Sequence, residues 1–206
     1  MKLLVACEYS GTVRDAFLRA GWDAISCDFL PTDVAGPHHQ GDVIEYLKSF
    51  PNEAFNLIIA HPTCTKLCVS GNSTYGEGKP RYAERVESAK WTQDFWELAK
   101  AKSRAVVFEN PVGVLPRLTT MPKPSYVQPY EFGHMEQKKT GLFLHNVQPL
   151  KPTNNVFTQM MELPVNQRQR LHYLPPSPDR WKLRSKTYSG IAEAMANQWT
   201  KASSIA

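Results

Sequence analysis

His61, Pro62, Cys64 and Cys68 stand together in "AHPTCTKLCVSG" (60–71), overlapping the end of the apolar run "FNLIIA". A cysteine placed there is either an inert thiol filling space at a strand end or a nucleophile shown to a substrate. In an electropositive cleft its pKa would be lowered and it would attack as the thiolate. His61 reads as a loop residue rather than a general base, and Cys68 as packing. Glu109 ends a second apolar run, "AVVF". A carboxyl there is solvated in a cleft or paired. Partial desolvation would raise its pKa and let it donate a proton near neutral pH. Asp28, after "DAISC", suits either the two hydroxyls of a ribose or loop initiation before Pro31. Asp42 in "GDVIEYL" reads first as a helix N-cap. Ser10 and Gly11 leave room for a ligand at a helix start, and the nearby Glu8 favours a neutral or cationic one over a phosphate.

The elements that must carry these residues follow from the hydrophobic pattern. "KLLVAC", "DAISCD", "FNLIIA" and "SRAVVFEN" read as strands, and "TVRDAFLRA", "GDVIEYLKSF" and "RYAERVESAKWTQDFWELAKAK" as the helices between them. Residues 31–40 read as a Pro/Gly/His loop. Strict strand–helix alternation predicts right-handed crossovers and a parallel sheet in an open α/β domain. Ligands of such a sheet bind beyond the carboxyl ends of its strands, which is where Glu8–Gly11, Asp28, Gly41-Asp42, His61–Cys64 and Glu109-Asn110 fall. "YVQPYEF" and "KTGLFLHN" suggest an antiparallel closing pair, and "KTYSGIAEAMANQWTKA" a final helix. Residues 146–183 are rich in Pro, Asn, Gln and basic residues with little periodicity, and their length favours a functional insertion.

At 206 residues the chain suffices for one well-buried domain. Hydrophobic residues at 42% and charged residues at 21% exclude a disordered chain. The apolar stretch before Glu8 is too short for a signal peptide, and no run reaches membrane-spanning length, so a cytoplasmic protein without membrane contact is expected. Four cysteines without a second pair at zinc spacing argue against a metal site. The net charge of +5 favours an acidic partner such as nucleic acid.

Taken in order, these residues resemble the DNA (cytosine-5)-methyltransferase family, closest to its small phage and prophage members. "VACEYSGTVRDAFLRAGWDAISCD" resembles the methyl-donor loop, helix and acidic strand end, and "QGDV" the Gly-Asp-Ile element. "LIIAHPTC" resembles the Pro-Pro-Cys element, "FENPVGVL" the Glu-Asn-Val element, and "KTYSGIAEAMA" the Gly-Asn-Ala element of the last helix. "YEFGHMEQKKTGLFL" occupies the place of Gln-x-Arg-x-Arg. The resemblance runs from residue 3 to about 198. It implies an S-adenosylmethionine-dependent methyltransferase (Rossmann-like) sheet with six parallel strands and one antiparallel.

Residue by residue, the resemblance implies S-adenosyl-L-methionine bound by Ser10, Gly11, Asp28 and Asp42, with Cys7, Glu8, Tyr9, Phe29, Val43, His61 and Pro62 around it. Cys64 would be the nucleophile at cytosine C6, Glu109 the residue at N3, and Lys138 a charge beside the base. Asn110, Lys139, Arg168, Arg170 and Arg184 would contact substrate or DNA, with Arg180, Lys182 and Lys186 as further phosphate contacts. The organisation expected is a catalytic core over 1–145, a short target-recognition region over 146–183, and a C-terminal helix over 184–206 completing the core. The expected protein is a monomer acting on duplex DNA with a flipped cytosine, in a bacterial host's cytoplasm if phage-encoded. The chain departs from the family at Thr63, Pro111 and Ile191, and Glu136, Lys138 and Thr140 leave both arginines missing. Two other readings stay open: C5 chemistry on a cytosine nucleotide or modified base, and a non-catalytic S-adenosylmethionine- or DNA-binding protein acting against a host defence.

Overall fold

A computed structural model of the chain describes residues 1–200, so the last part of the expected C-terminal unit lies outside the described residues. Seven strands form one sheet: β1 Lys2–Ala6, β2 Asp23–Asp28, β3 His38–Gln40, β4 Phe55–Ala60, β5 Ser103–Pro111, β6 Ser125–Val127 and β7 Thr140–His145. Their order is β3-β2-β1-β4-β5-β7-β6. β3, β2, β1, β4 and β5 pair in parallel; β7 runs antiparallel to both β5 and β6. Six strands therefore point one way and β7 alone is reversed.

The central strands are apolar throughout because both of their faces are covered, as buried parallel strands require. Alternate residues serve different layers. Leu3, Val5, Leu57, Ile59, Ala105 and Val107 face one core, and Leu4, Ala6, Ile58, Ala60, Val106 and Phe108 the other. The first core is closed by α1 (Thr12–Arg19) and the last helix, α10 (Ser189–Trp199), through Val13, Phe17, Met195 and Trp199. The second is closed by α2 (Val43–Lys48) and α4 (Tyr82–Lys102), through Leu47, Phe95, Trp96 and Ala99. Full burial of such a side chain contributes roughly 1.5–3 kcal/mol.

Short helices fill the connections: α3 Asn72–Tyr75, α5 Leu115–Leu118, α6 Phe157–Met161, α7 Val165–Arg168, α8 Arg170–Tyr173 and α9 Arg180–Ser185. The last four occupy the stretch that reads as irregular, too short to show a period. Part of the expected 31–40 loop is instead strand β3. It has no apolar alternation because it is an edge held by side chains: the His38 ring bonds Ser26 Oγ at 2.9 Å and Leu30 O at 2.9 Å. No helix among the described residues is long and apolar enough to cross a membrane.

Candidate functional site

Strand order reverses at β1, which has β2 on one side and β4 on the other. The loops leaving β1 and β4 diverge at such a switch point and open a crevice beyond the strand ends. Cys7 leaves β1 at φ 57 and Gly11 enters α1 at φ 73. Left-handed backbone at a non-glycine residue such as Cys7 costs about 1 kcal/mol or more and clusters at functional sites. Gly11 has no side chain to cap α1, so Glu8 does it. Its carboxylate accepts from Val13 N at 2.7 Å, Arg14 N at 3.2 Å and Ser10 Oγ at 3.2 Å. Glu8 is thus turned onto the helix start, where it supplies the negative charge that a phosphate would otherwise bring.

Asp28 accepts from Leu30 N at 3.0 Å through Oδ1. Burial raises its pKa, opposed by the Leu30 amide and the charge of His38. Asp42 caps α2, accepting from Ile44 N at 2.7 Å and Glu45 N at 3.2 Å through one oxygen. Burial and the neighbouring Asp28, Cys27 and Asp42 push the Cys7 thiol far up, which places these groups together at one end of the sheet. Tyr9 is buried and Phe29 stands exposed at the rim. Val43 and Pro62 are buried, Val43 packing into the core beneath α2.

The segment after β4 is fixed from three sides. The Cys64 carbonyl accepts from Leu67 N at 2.9 Å and Cys68 N at 3.0 Å, closing a turn. The segment pairs with the loop after β5 through Val69 N→Val112 O at 3.0 Å and Val114 N→Leu67 O at 2.9 Å. Gly113 permits this approach, because a Cβ there would overlap Leu67 O. From α4 comes Arg85, 2% exposed, whose guanidinium donates to Lys66 O at 2.6 Å, Asn72 Oδ1 at 2.8 Å and Cys68 O at 3.2 Å. Burial pushes the Cys64 thiol up, with Cys68 and Glu109 adding and Lys138 opposing. This corrects the expectation of a cleft that lowers its pKa: burial outweighs the one lysine. Cys68 is not packed away either; it is half-buried like Cys64 and meets Ser70 Oγ at 3.0 Å.

Glu109 and His61 meet across β5 and β4, Oε2 to Nδ1 at 2.9 Å, with side chains 11% and 12% exposed. Thr187 Oγ1 donates to the same carboxylate oxygen at 3.2 Å. Burial alone would raise the Glu109 pKa, as the sequence reading expects. His61, then Lys138 and Thr187, overcome that and hold the carboxyl well below the ordinary range. Glu109 is therefore held as a carboxylate, and the His61 pKa is raised opposite it: burial works against its charge, but Glu109 and then Glu8 outweigh that. The neighbouring Asn110 is 1% exposed and turned inward, Nδ2 donating to Pro62 O at 3.2 Å. It braces the Cys64 segment from the opposite side of β5 to Glu109, because alternate residues of a strand point to opposite sides.

Residues 181–188 cross the open end of the sheet. Tyr9 Oη meets Lys182 O and Ser185 Oγ, each at 3.2 Å, and its ring lies 5.8 Å from that of Trp181. Lys186 pairs with Asp33 at 2.7 Å, and Lys138 Nζ donates to Lys186 O at 3.3 Å. A cavity of about 10 Å³ beside Glu109, Lys138, Thr187 and Tyr188 is at the lower limit for one water. The basic residues expected on phosphates are mostly engaged within the fold: Arg168 with Met161 O, Arg170 with Glu136 at 3.0 Å, Arg180 with His172 O, Lys182 with Asp179 at 3.5 Å. These partners range from Asp179, three residues from Lys182, to Glu136, 34 residues from Arg170. Lys139, over the Tyr126 ring at 4.5 Å, and Arg184 are exposed.

The structure thus gathers Cys64, Glu109, Lys138 and His61 on one side of the crevice and Cys7, Asp28 and Asp42 on the other. Sequence reasoning misses Arg85 and Arg14. Arg85 had a signal: it lies in register with Ala89, Thr92, Trp96 and Ala99 on the buried stripe of α4. Arg14, fully buried, binds Ser26 Oγ, Thr32 Oγ1 and Val34 O and ties α1 to the 31–37 loop. Among the described residues, no three His, Cys, Asp or Glu side chains are grouped to hold a metal.

No family model and no curated protein matches the sequence. Solved structures do match in fold. One is a candidate DNA modification methyltransferase encoded within an E. coli prophage (TM-score 0.52, 15% identity, 86% of this chain and 56% of that one). Others are the bifunctional kinase-methyltransferase WbdD (0.47, 12%, 73% and 37%) and the Entamoeba histolytica methyltransferase EhMeth (0.43, 12%, 87% and 64%). The chain spans little more than half the length of the prophage protein. The fold is that of a methyltransferase.

Proposed function

We propose that the protein transfers a methyl group from S-adenosyl-L-methionine to C5 of cytosine in DNA, with Cys64 as nucleophile. The observation that carries this reading is the placement of Cys64 within electrostatic reach of Glu109 and Lys138, at the carboxyl ends of β4 and β5 on a methyltransferase sheet. The residues beyond β1 and β2 fit the donor. Asp28 Oδ1 is taken by Leu30 N, which leaves its other oxygen for a ribose hydroxyl. Asp28 and Asp42, close enough to act on Cys7, favour a cation such as a sulfonium. The donor, when bound, supplies an electrophilic methyl group.

C5 of cytosine is too weak a nucleophile to take that methyl directly. Cys64 Sγ, after losing its proton, bonds to C6 and turns the ring into an enamine whose charge builds at C5. The Glu109 carboxyl at N3 stabilises the addition. C5 would then bond the methyl carbon, leaving the donor as a neutral thioether, and loss of the C5 proton to water expels Cys64 as the thiolate. In duplex DNA the base must first leave the stack, at a cost of a few kcal/mol.

The test is covalent capture. DNA carrying 5-fluorocytosine should form a stable adduct with the wild type in the presence of the donor and none with Cys64→Ser; capture by the serine variant, or none by the wild type, defeats the mechanism. A second reading draws on Arg168 and Arg170, which are paired within the fold and leave fewer cations for a phosphate backbone, and so suits a smaller substrate. Methyl incorporation into dCMP but not into single- or double-stranded DNA would select it.

A further inference from the structure

The His61–Glu109 pair has a consequence that the roles of Cys64 and Glu109 do not contain. If Glu109 is to assist at N3, it must bring a proton there, yet at rest it is a carboxylate without one. His61 Nδ1 lies 2.9 Å from Oε2, and a hydrogen bond to an ionised carboxylate requires the proton on that nitrogen. Lys138 does not replace it: its ammonium donates to Lys186 O at 3.3 Å and reaches Glu109 only through space. The other imidazole nitrogen, Nε2, is buried and has no partner among the described residues. The ring is therefore anchored on one side only, by Glu109. Charged groups face it from four directions: Glu109 on β5, Glu8 after β1, Asp28 at the end of β2, and Lys138 before β7. Cys64 lies on its own segment. Three carboxylates against one ammonium favour the charged imidazole and raise its pKa against burial.

We propose that His61 is a positioning residue that holds Glu109 and supplies, through it, the proton that N3 takes as Cys64 adds to C6. The inference rests on the cytosine reading and deepens it. The step balances. The Cys64 thiolate forms the S–C6 bond, the C5=C6 pair moves toward C5, and N3 accepts a proton from the Glu109 carboxyl. Nδ1 of His61 has passed that proton to Oε2. One negative charge enters on sulfur and leaves on Glu109, now beside a neutral imidazole. On elimination the N3 proton returns to the pair.

The experiment compares the wild type and His61→Gln across pH, measuring the single-turnover rate of adduct formation with a 5-fluorocytosine oligonucleotide. Thiol ionisation affects both proteins alike, so the ratio of the two rates isolates His61. The ratio should be on the order of 10²-fold where His61 is charged, within the usual range for proton transfer, and fall toward one as pH rises past its titration. A ratio independent of pH would reduce His61 to a structural role and overturn the inference. NMR titration of the imidazole in the full chain gives a readout free of turnover. His61 should titrate above the ordinary value of 6.5 and drop in Glu109→Gln; a titration unmoved by Glu109→Gln overturns the pair. If the wild type forms no adduct at any pH, the cytosine reading fails, and the imidazole titration still decides whether His61 and Glu109 share the proton.

Discussion

Cys64 and the His61–Glu109 pair are governed by opposite physics. The thiol is raised by burial, so the resting nucleophile is protonated at neutral pH. Its alkylation by iodoacetamide should be slower than that of an exposed cysteine and should rise with pH beyond the ordinary thiol range, read as mass-labelled Cys64 peptide. A rate plateau already at neutral pH would show a depressed pKa instead. The pair stabilises the fold in a defined window. Glu109 is depressed in the folded state, so its contribution is present above its ordinary 4.5 and disappears as pH falls through the depressed value. His61 is raised, so its contribution is complete below its ordinary 6.5 and fades as pH rises through the raised value. Urea unfolding should therefore show the wild type losing more stability than His61→Gln as pH rises past 6.5 and through the raised His61 value. Equal losses would mean that the pair carries no net charge-charge stabilisation.

The elements act as clamps on the segment carrying Cys64. Arg85 reaches across from α4 to two of its carbonyls and to Asn72, and the loop after β5 lies against it at Gly113. Arg85→Ala leaves three part-buried acceptors without their donor, where full burial would cost about 1–3 kcal/mol each. Allowing for relaxation and water entry, a loss of about 2–4 kcal/mol in chemical denaturation is expected, with loss of adduct formation. Gly113→Ala should be smaller in stability, about 1–3 kcal/mol, because the loop shifts rather than empties. It should still impair adduct formation, since the displaced atom, Leu67 O, lies on the Cys64 turn. Retained adduct formation in both variants would mean that the segment is positioned by the substrate.

At the scale of the whole molecule, the net charge of +5 overstates the surface free to meet DNA. Arg168, Arg170, Lys182 and Lys186 have partners within the fold, the last three on exposed side chains, whereas Lys139 and Arg184 are exposed without an ionic partner among the described residues. Each phosphate contact contributes about −0.9 to the slope of log K against log salt for duplex DNA. Two contacts give a slope close to about −2, and Arg184→Ala should lower it by roughly one unit. A slope of about −5 or steeper would show that the region over 146–183 opens its internal pairs when it binds.

Much of this molecule is set locally and is legible in the sequence. "FNLIIA" and "SRAVVFEN" are strands because central strands buried on both faces must be apolar at every position. Asp42 caps α2 because the amides it serves lie two and three residues away. The order of chemistry-bearing residues at strand ends follows from the alternation of strands and helices alone. Edge strand β3 was not legible, being held by side chains and not by a hydrophobic pattern. The site's electrostatics belong to the tertiary structure. His61 and Glu109 are 48 residues apart, Thr187 and Glu109 are 78, and Arg85 meets Cys68 O across 17. The direction of a pKa shift depends on which charges stand within a few ångströms and how much water is displaced, and only the packed sheet brings those charges together. The sequence by itself placed a cysteine and a carboxyl at neighbouring strand ends; the fold decided that burial raises the thiol and that a histidine pairs with the carboxyl and holds its pKa down.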